Sequence, residues 1–267
     1  MVILYSLLAL GGIGITAGVI LVIAYNRLKV EEDPRIEELS EALPGINCGA
    51  CGYASCHEYA VSLNSRKAAA DLCRAGGVET NRKIASIMGI DHCDDAVPKK
   101  AIVRCRAEKK IYLAEYNGPC TCVSAQLLGG GMACKYGCFG YGDCAAVCPF
   151  DAISPDKNSM PVVDIEKCTG CGICVDACPR NIIILQDLVG DRIIYVGCSN
   201  MQAGKDTREV CAFGCIACRI CEKKAPAGSF SVDNNLAGVT RQIPEISVKD
   251  IKCPTGCIYE ARRKTQD

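Results

Sequence analysis

The sequence predicts an α+β chain with a single N-terminal transmembrane helix, a small four-cysteine domain and two further cysteine-rich modules, the second of them degenerate. Three observations support this prediction. Residues 2–25 contain no charged side chain, the 267 residues include 23 cysteines, and these cysteines fall in clusters with repeated spacings. Cysteine this dense indicates either a disulfide scaffold or metal centres, and the clustered spacings together with the chain length favour metal centres.

The first predicted element is a transmembrane anchor, residues 1–29. Residues 2–25 are long enough to cross a bilayer as a helix. Arg27 and Lys29 follow directly, which predicts that the C-terminal side of the helix faces the cytoplasm. A signal peptide is the alternative, but the positive charges follow the apolar run and no small-residue cleavage site is present.

Residues 30–92 are predicted to form a small metal-binding domain. Its four cysteines, in the pattern NCGACGYASC followed by a distant cysteine, are Cys48, Cys51, Cys56 and Cys73. Three glycines allow the tight turns that direct several thiolates to one centre, namely Gly45, Gly49 and Gly52. The segment between Cys56 and Cys73 has helical propensity and no proline, so a helix could return the fourth cysteine to the loop.

Residues 167–179 read KCTGCGICVDACP and contain the most specific motif in the chain. The spacing C-x2-C-x2-C-x3-C-P is that of bacterial ferredoxins, in which it binds [4Fe–4S] clusters and the last cysteine ligates the other cluster of a pair. A zinc site would instead favour two separated cysteine or cysteine–histidine pairs. The motif therefore predicts iron–sulfur clusters in preference to zinc.

Residues 134–189 are predicted to be a two-cluster ferredoxin-like domain, which follows a connecting segment, 93–133. Two short strands around the sequence PDKN are predicted to form a β-hairpin between two Cys-Pro motifs. Crossed ligation assigns one cluster to Cys148, Cys168, Cys171 and Cys174. In the other half Tyr141 replaces the expected middle cysteine, so Cys134 is the predicted substitute and the ligands are Cys134, Cys138, Cys144 and Cys178.

Residues 190–267 repeat this domain in degenerate form. Ala225 stands where the cysteine before Pro226 is expected, and only one cysteine before a proline, Cys253, survives from the second half. The cluster that Ala225 would have served has also lost its other three cysteines. One complete set remains under the crossed rule, and this third module is predicted to bind one cluster through Cys215, Cys218, Cys221 and Cys253.

Seven cysteines remain without a predicted site: Cys93, Cys105, Cys120, Cys122, Cys198, Cys211 and Cys257. Free cysteine packs as a small hydrophobic residue, so buried thiols are the favoured interpretation. The alternative is a fifth cluster, because β-branched segments ending in Cys105 and in Cys198 frame the two modules as a longer repeat. Its best candidate ligands are Cys105, Cys122, Cys198 and Cys211. The chain is thus predicted to bind four [4Fe–4S] clusters, with a possible fifth.

Composition and motifs indicate electron transfer. Lysine plus arginine and aspartate plus glutamate both number 30, so the charge does not suggest nucleic-acid binding. No nucleophile elbow, phosphate-binding loop or zinc-protease motif is present. Clusters in line would conduct single electrons, with potentials set by hydrogen bonds to sulfur, charge and exposure. The thiolates need a reducing compartment, which agrees with a cytoplasmic location.

Over nearly its whole length the chain resembles a known family, the B-type iron–sulfur subunits of the Rnf complex, the ion-translocating ferredoxin-dependent oxidoreductase. The resemblance lies in the blocks LPGINCGACGYASC, CKYGCFGYGDCAAVCPFDAI and VVDIEKCTGCGICVDACPRN. It implies an electron-transfer subunit at the cell membrane, without substrate chemistry of its own. Such a subunit receives electrons from reduced ferredoxin and passes them to the other subunits, which couple the flow to movement of Na⁺ or H⁺. The family's complete last pair of ferredoxin motifs is interrupted here at Ala225.

Two other functions fit the cysteine content: a membrane-anchored polyferredoxin that serves another redox enzyme, and a structural zinc protein. A docking surface for ferredoxin is a further hypothesis. It uses the densest basic run of the chain, since complementary charge speeds the encounter with an acidic ferredoxin. The run consists of Lys99, Lys100, Arg104, Arg106, Lys109 and Lys110. A solvated strand between modules is the alternative.

Overall fold

The computed structural model describes residues 2–28, 33–90, 97–242 and 247–263. The helices within these ranges are α1 (Val2–Leu28), α2 (Pro34–Ala42), α3 (Cys56–Asn64), α4 (Gly77–Met88), α5 (Cys122–Leu127), α6 (Asp143–Ala146), α7 (Ile173–Asp176), α8 (Gly204–Val210), α9 (Ile220–Lys224) and α10 (Val248–Ile251). The strands are β1 (Lys99–Val103), β2 (Ile153–Pro155), β3 (Pro161–Val163), β4 (Ile183–Asp187), β5 (Arg192–Val196), β6 (Phe230–Asp233), β7 (Leu236–Val239) and β8 (Ile258–Arg262).

The prediction of a single transmembrane helix is wrong for the part of the chain that the structure describes. A span across a bilayer needs about 20 consecutive apolar residues. No helix within the described ranges is both long and apolar enough to cross a membrane. The α+β composition of the rest of the chain agrees with the prediction.

Helices α2, α3 and α4 form a small helical unit around one core. Leu39, Tyr59 and Ile84, one from each helix, are fully buried against each other. Helix α3 begins where Ser55 Oγ accepts a hydrogen bond from the Glu58 backbone N–H at 3.0 Å, which is an N-cap interaction. The predicted helix after Cys56 is therefore confirmed, and it ends at Asn64.

Two antiparallel pairs of strands build the next module. Strand β1 pairs with β4, from Lys99 opposite Asp187 to Val103 opposite Ile183. Strand β2 pairs with β3 in the hairpin that the sequence predicts around PDKN. In its turn, Asp156 Oδ1 accepts hydrogen bonds from backbone N–H groups at 2.8 and 2.9 Å, so the aspartate fixes the reversal. Helices α6 and α7 are single turns that lie between these strands.

The third module repeats this topology. Strand β5 pairs with β8 as β1 pairs with β4, and β6 pairs with β7 as β2 pairs with β3. Helices α9 and α10 stand where α6 and α7 stand in the preceding module. The two modules also share apolar contacts, since Ile102 of β1 packs in one cluster with Ile193 and Tyr195 of β5. The fold of the repeat thus persists although several of its cysteines are absent.

Candidate metal centres

Site 1 is the cavity formed by the four predicted cysteines of the helical unit. These are Cys48, Cys51, Cys56 and Cys73, and all four line one cavity of about 320 Å³, its open mouth included. Gly45, Gly49 and Gly52 have φ angles of +67°, +72° and +88°, which confirms the predicted turns. Asn47 Oδ1 accepts a hydrogen bond from the Cys56 backbone N–H at 2.8 Å, so the loop is attached to the start of α3.

Site 3 is the cavity around the most specific motif. Its four cysteines are those predicted by crossed ligation, Cys148, Cys168, Cys171 and Cys174, and they line a second cavity of about 320 Å³. Two backbone groups donate hydrogen bonds to sulfur: Ala101 N–H to Cys168 Sγ and Ala152 N–H to Cys148 Sγ, both at 3.4 Å. The strand β1 therefore contributes directly to this site.

Site 2 is the cavity in the other half of the module, and it differs from the prediction. Cys138, Cys144 and Cys178 line a cavity of about 920 Å³ as expected, but the fourth cysteine in its wall is Cys122 and not Cys134. The physical reason lies in α5. Both carboxylate oxygens of Asp143 accept backbone hydrogen bonds at the start of α5, that from Cys122 N–H at 2.9 Å. This contact holds Cys122 beside α6.

Cys134 lines a different cavity and is not part of the wall of site 2. The sequence could have indicated Cys122, because Tyr141 leaves one ligand of site 2 to be supplied from outside the motif. Proximity along the chain favoured Cys134, whereas the fold favours the start of α5. Cys93 lies outside the residues that the structure describes.

Site 4 is the cavity of the third module. The four predicted cysteines, Cys215, Cys218, Cys221 and Cys253, line a cavity of about 330 Å³. Cys257, which the sequence left unassigned, also lines it, and its Sγ lies 3.7 Å from Cys253 Sγ. Hydrogen bonding to the Cys257 thiol lowers the pKa of Cys253 to about 5 and that of Cys215 to about 6. Cys257 thus favours the thiolate form, which binds metal.

The cysteines that line these cavities indicate the group that they fit. A tetrahedral zinc ion with Zn–S bonds of about 2.3 Å draws its four sulfurs close together. In the described parts of the chain, no three His, Cys, Asp or Glu side chains are close enough to hold a single metal ion. Sites 1, 3 and 4 come from separate segments, and each is lined by at least four cysteines. Four thiols around such a cavity fit a [4Fe–4S] cluster.

The sites lie next to one another. The charge of Cys48 in site 1 contributes to raising the pKa of Cys171 in site 3, although burial is the larger cause. Burial first, and then thiolates that include Cys144 of site 2, raise the pKa of Cys174 in site 3 to about 12. Charges interact strongly only over short distances. Cys144 of site 2 also packs in one buried core with Cys168 and Cys174 of site 3, so sites 2 and 3 are adjacent.

The basic run proposed as a docking surface is not an open surface. Lys100 is only 8% exposed and its ammonium group donates to the Cys168 carbonyl. Arg106 donates to the Tyr195 hydroxyl at 3.0 Å and lies 5.6 Å from the centre of the Tyr259 ring. Of the six basic residues only Lys99 and Lys109 are exposed. Strand β1 is buried from Lys100 to Val103, so Lys99 is its only exposed residue.

We expect the Cys253→Ser substitution to remove one cluster, or about four irons per chain, because site 4 loses one of its four ligands. The Ala225→Cys substitution should add none, because the other three ligands of that lost cluster are absent. Iron and acid-labile sulfide determination measures both variants. An Ala225→Cys protein with about four additional irons would contradict the assignment.

Three family models match the chain. A putative Fe-S cluster model covers residues 43–75, which include site 1. Two 4Fe-4S dicluster domain models cover residues 133–182 and 167–229. The iron–sulfur character inferred from the cavities thus agrees with independent family models.

The chain is also similar to curated proteins over most of its length, each of them the B-type subunit of its complex. It is 41% identical over 256 residues to that of the Na(+)-translocating ferredoxin:NAD(+) oxidoreductase complex of Acetobacterium woodii, which covers 93% of this chain and 75% of that protein. It is 34% identical over 244 residues to that of the ion-translocating oxidoreductase complex of Methanosarcina acetivorans, covering 90% of this chain and 91% of that protein. The chain is 35% identical over 253 residues to the B-type subunit of the proton-translocating ferredoxin:NAD(+) oxidoreductase complex of Clostridium ljungdahlii, covering 92% of this chain and 88% of that protein. The chain therefore belongs to the Rnf family of B-type subunits of ion-translocating oxidoreductase complexes, as an electron-transfer subunit of a translocase.

Proposed function

We propose that this protein accepts electrons from reduced ferredoxin and conducts them through its cysteine sites to a membrane-associated, ion-translocating complex. The observation that carries the proposal is the set of sites 1, 3 and 2, each lined by four cysteines, of which sites 2 and 3 share one buried core. Ferredoxin as donor is supported by the names of the Acetobacterium woodii and Clostridium ljungdahlii relatives, which include it. Four [4Fe–4S] clusters, at sites 1 to 4, are part of the proposal.

The chain's own residues would hold and tune these groups. A bound [4Fe–4S] cluster supplies reversible one-electron chemistry. Cysteine thiolates fix each group in place, and backbone N–H donors such as those of Ala101 and Ala152 stabilise negative charge on sulfur. Seven of the sixteen cysteines of sites 1 to 4 are buried and only Cys218 is exposed, which limits contact with water. The cysteine-containing domains would face the cytoplasmic side, where free thiols stay reduced.

Anaerobic stopped-flow mixing of the cluster-loaded protein, within its complex, with reduced ferredoxin tests the donor. We expect ferredoxin to be reoxidised while the visible iron–sulfur absorbance of the complex decreases, and to see the same final decrease with dithionite. The Cys120→Ser variant is a matched control, because Cys120 is exposed and lines none of the five cavities. Reduction by dithionite without any reduction by ferredoxin would contradict the proposal.

A further inference from the structure

Four cysteines outside sites 1 to 4 meet at one cavity. They are Cys105, Cys134, Cys198 and Cys211, here called site 5, and the cavity measures about 520 Å³ with its mouth. Cys105 and Cys198 are buried, and the other two are partly buried. These residues come from segments up to 106 positions apart in the sequence, from Cys105 to Cys211. Their convergence is therefore a product of the fold, not of a local motif.

Site 5 has the internal symmetry of the repeat. Cys105 follows β1 by two residues, as Cys198 follows β5. Cys134 begins the segment CKYGC and Cys211 begins the segment CAFGC. Each therefore lies four residues before the first cysteine of the ferredoxin motif in its module. Each module thus contributes two cysteines from equivalent positions. A chance meeting of buried thiols would not require such equivalence.

Hydrogen-bond donors are directed at the sulfurs of site 5. Asn200, which is only 2% exposed, donates its backbone N–H to Cys198 Sγ at 3.4 Å and its side-chain amide to Cys134 Sγ at 3.8 Å. The Cys138 backbone N–H donates to Cys105 Sγ at 3.4 Å. Buried amides directed at sulfur are the interactions that tune iron–sulfur centres.

We infer that Cys105, Cys134, Cys198 and Cys211 hold a fifth [4Fe–4S] cluster, which connects site 2 to site 4. The sulfurs number four, as each cubane requires. The ligand set differs from that considered on sequence grounds, since Cys134 replaces Cys122. The two cysteines exchange roles: Cys122 completes site 2 and thereby leaves Cys134 to site 5.

The position of site 5 joins two groups of sites. On one side, Cys138 is both a wall residue of site 2 and the donor to Cys105. On the other side, Cys198 packs in one buried core with Cys215 and Cys221 of site 4. Sites 3, 2, 5 and 4 therefore form one series, in that order.

Electron transfer through site 5 would leave that site unchanged, because each electron that enters it also leaves it. One electron leaves a reduced [4Fe–4S] cluster at a neighbouring site, which is thereby oxidised, and reduces the cluster at site 5. The same electron then passes to the cluster on the other side, so site 5 returns to its oxidised state. No bond is made or broken, and no proton is required. This step deepens the proposed function and rests on it.

Iron content tests the site without ferredoxin, so its failure is distinguishable from failure of the proposed donor. Anaerobically prepared wild-type protein should contain about twenty irons and twenty sulfides per chain, against about sixteen for four clusters. The Cys198→Ser and Cys211→Ser variants should each lose about four irons, and the double variant should lose the same four, because all belong to one cluster. The Cys120→Ser control should lose none.

Electron paramagnetic resonance of the dithionite-reduced proteins gives a second readout. Neighbouring reduced clusters broaden each other's signals, so the signal that Cys253→Ser abolishes should become narrower in Cys198→Ser. Should the wild-type protein contain about sixteen irons, about one zinc per chain, or unchanged iron in both single variants, site 5 would not be an iron–sulfur site. The wild-type measurement decides the matter even if the variants do not fold.

Discussion

Removal of iron should unfold the cysteine-containing part of the chain. The described strands occur only as two-stranded sheets, and such sheets have little stability of their own in water. Cysteines also make up a large part of the buried cores: Cys105, Cys138, Cys144, Cys168 and Cys174 belong to the core of the second module. Structural metal sites contribute on the order of 10 kcal/mol each, which is comparable to the whole stability of a small domain.

Circular dichroism and limited proteolysis measure this effect after anaerobic treatment with an iron chelator. We expect loss of most β-structure signal and rapid cleavage between residues 97 and 263. Reconstitution with iron and sulfide is the control, and it should restore both properties. If the iron-free protein kept its native spectrum and its resistance to protease, the clusters would not be structural.

The sequence predicts well wherever spacing alone determines geometry. The C-x2-C-x2-C-x3-C-P run placed Cys171 and Cys174 at one cavity, and the crossed rule placed Cys148 with them and Cys178 in the other half. The degenerate third module was also predicted, since the losses at Ala225 and before Cys253 agree with each other. These inferences succeed because one-turn helices and short turns leave few arrangements for closely spaced residues.

Predictions failed where the answer depends on contacts between distant segments. The hydrogen bonds between Asp143 and the start of α5, 20 and 21 residues apart, bring Cys122 to site 2. Burial of Lys100 depends on the pairing of β1 with β4, and its contact with Cys168 spans 68 residues. The apolar composition of the N-terminal segment predicted a transmembrane helix. No helix within the described residues is long and apolar enough to span a membrane.

Cys122 and Cys134 should belong to different clusters, and combined substitutions can show it. Each single serine substitution removes one cluster, or about four irons, so single variants do not distinguish the assignments. Cys144 serves as a reference because it belongs to site 2 under both assignments. The structure predicts that Cys122→Ser with Cys144→Ser loses only about four irons, because both residues serve the same cluster.

The second pair, Cys134→Ser with Cys144→Ser, should lose about eight irons, because two clusters are then affected. The assignment made from chain proximity predicts about four for the pair with Cys134, and about eight for the pair with Cys122 only if Cys122 ligates a fifth cluster. Iron and sulfide determination on the two single and the two double variants, at equal protein concentration, distinguishes the two ligand assignments. In the proposed series, site 2 and site 5 are successive members, so the effect on electron flow should be large in every case.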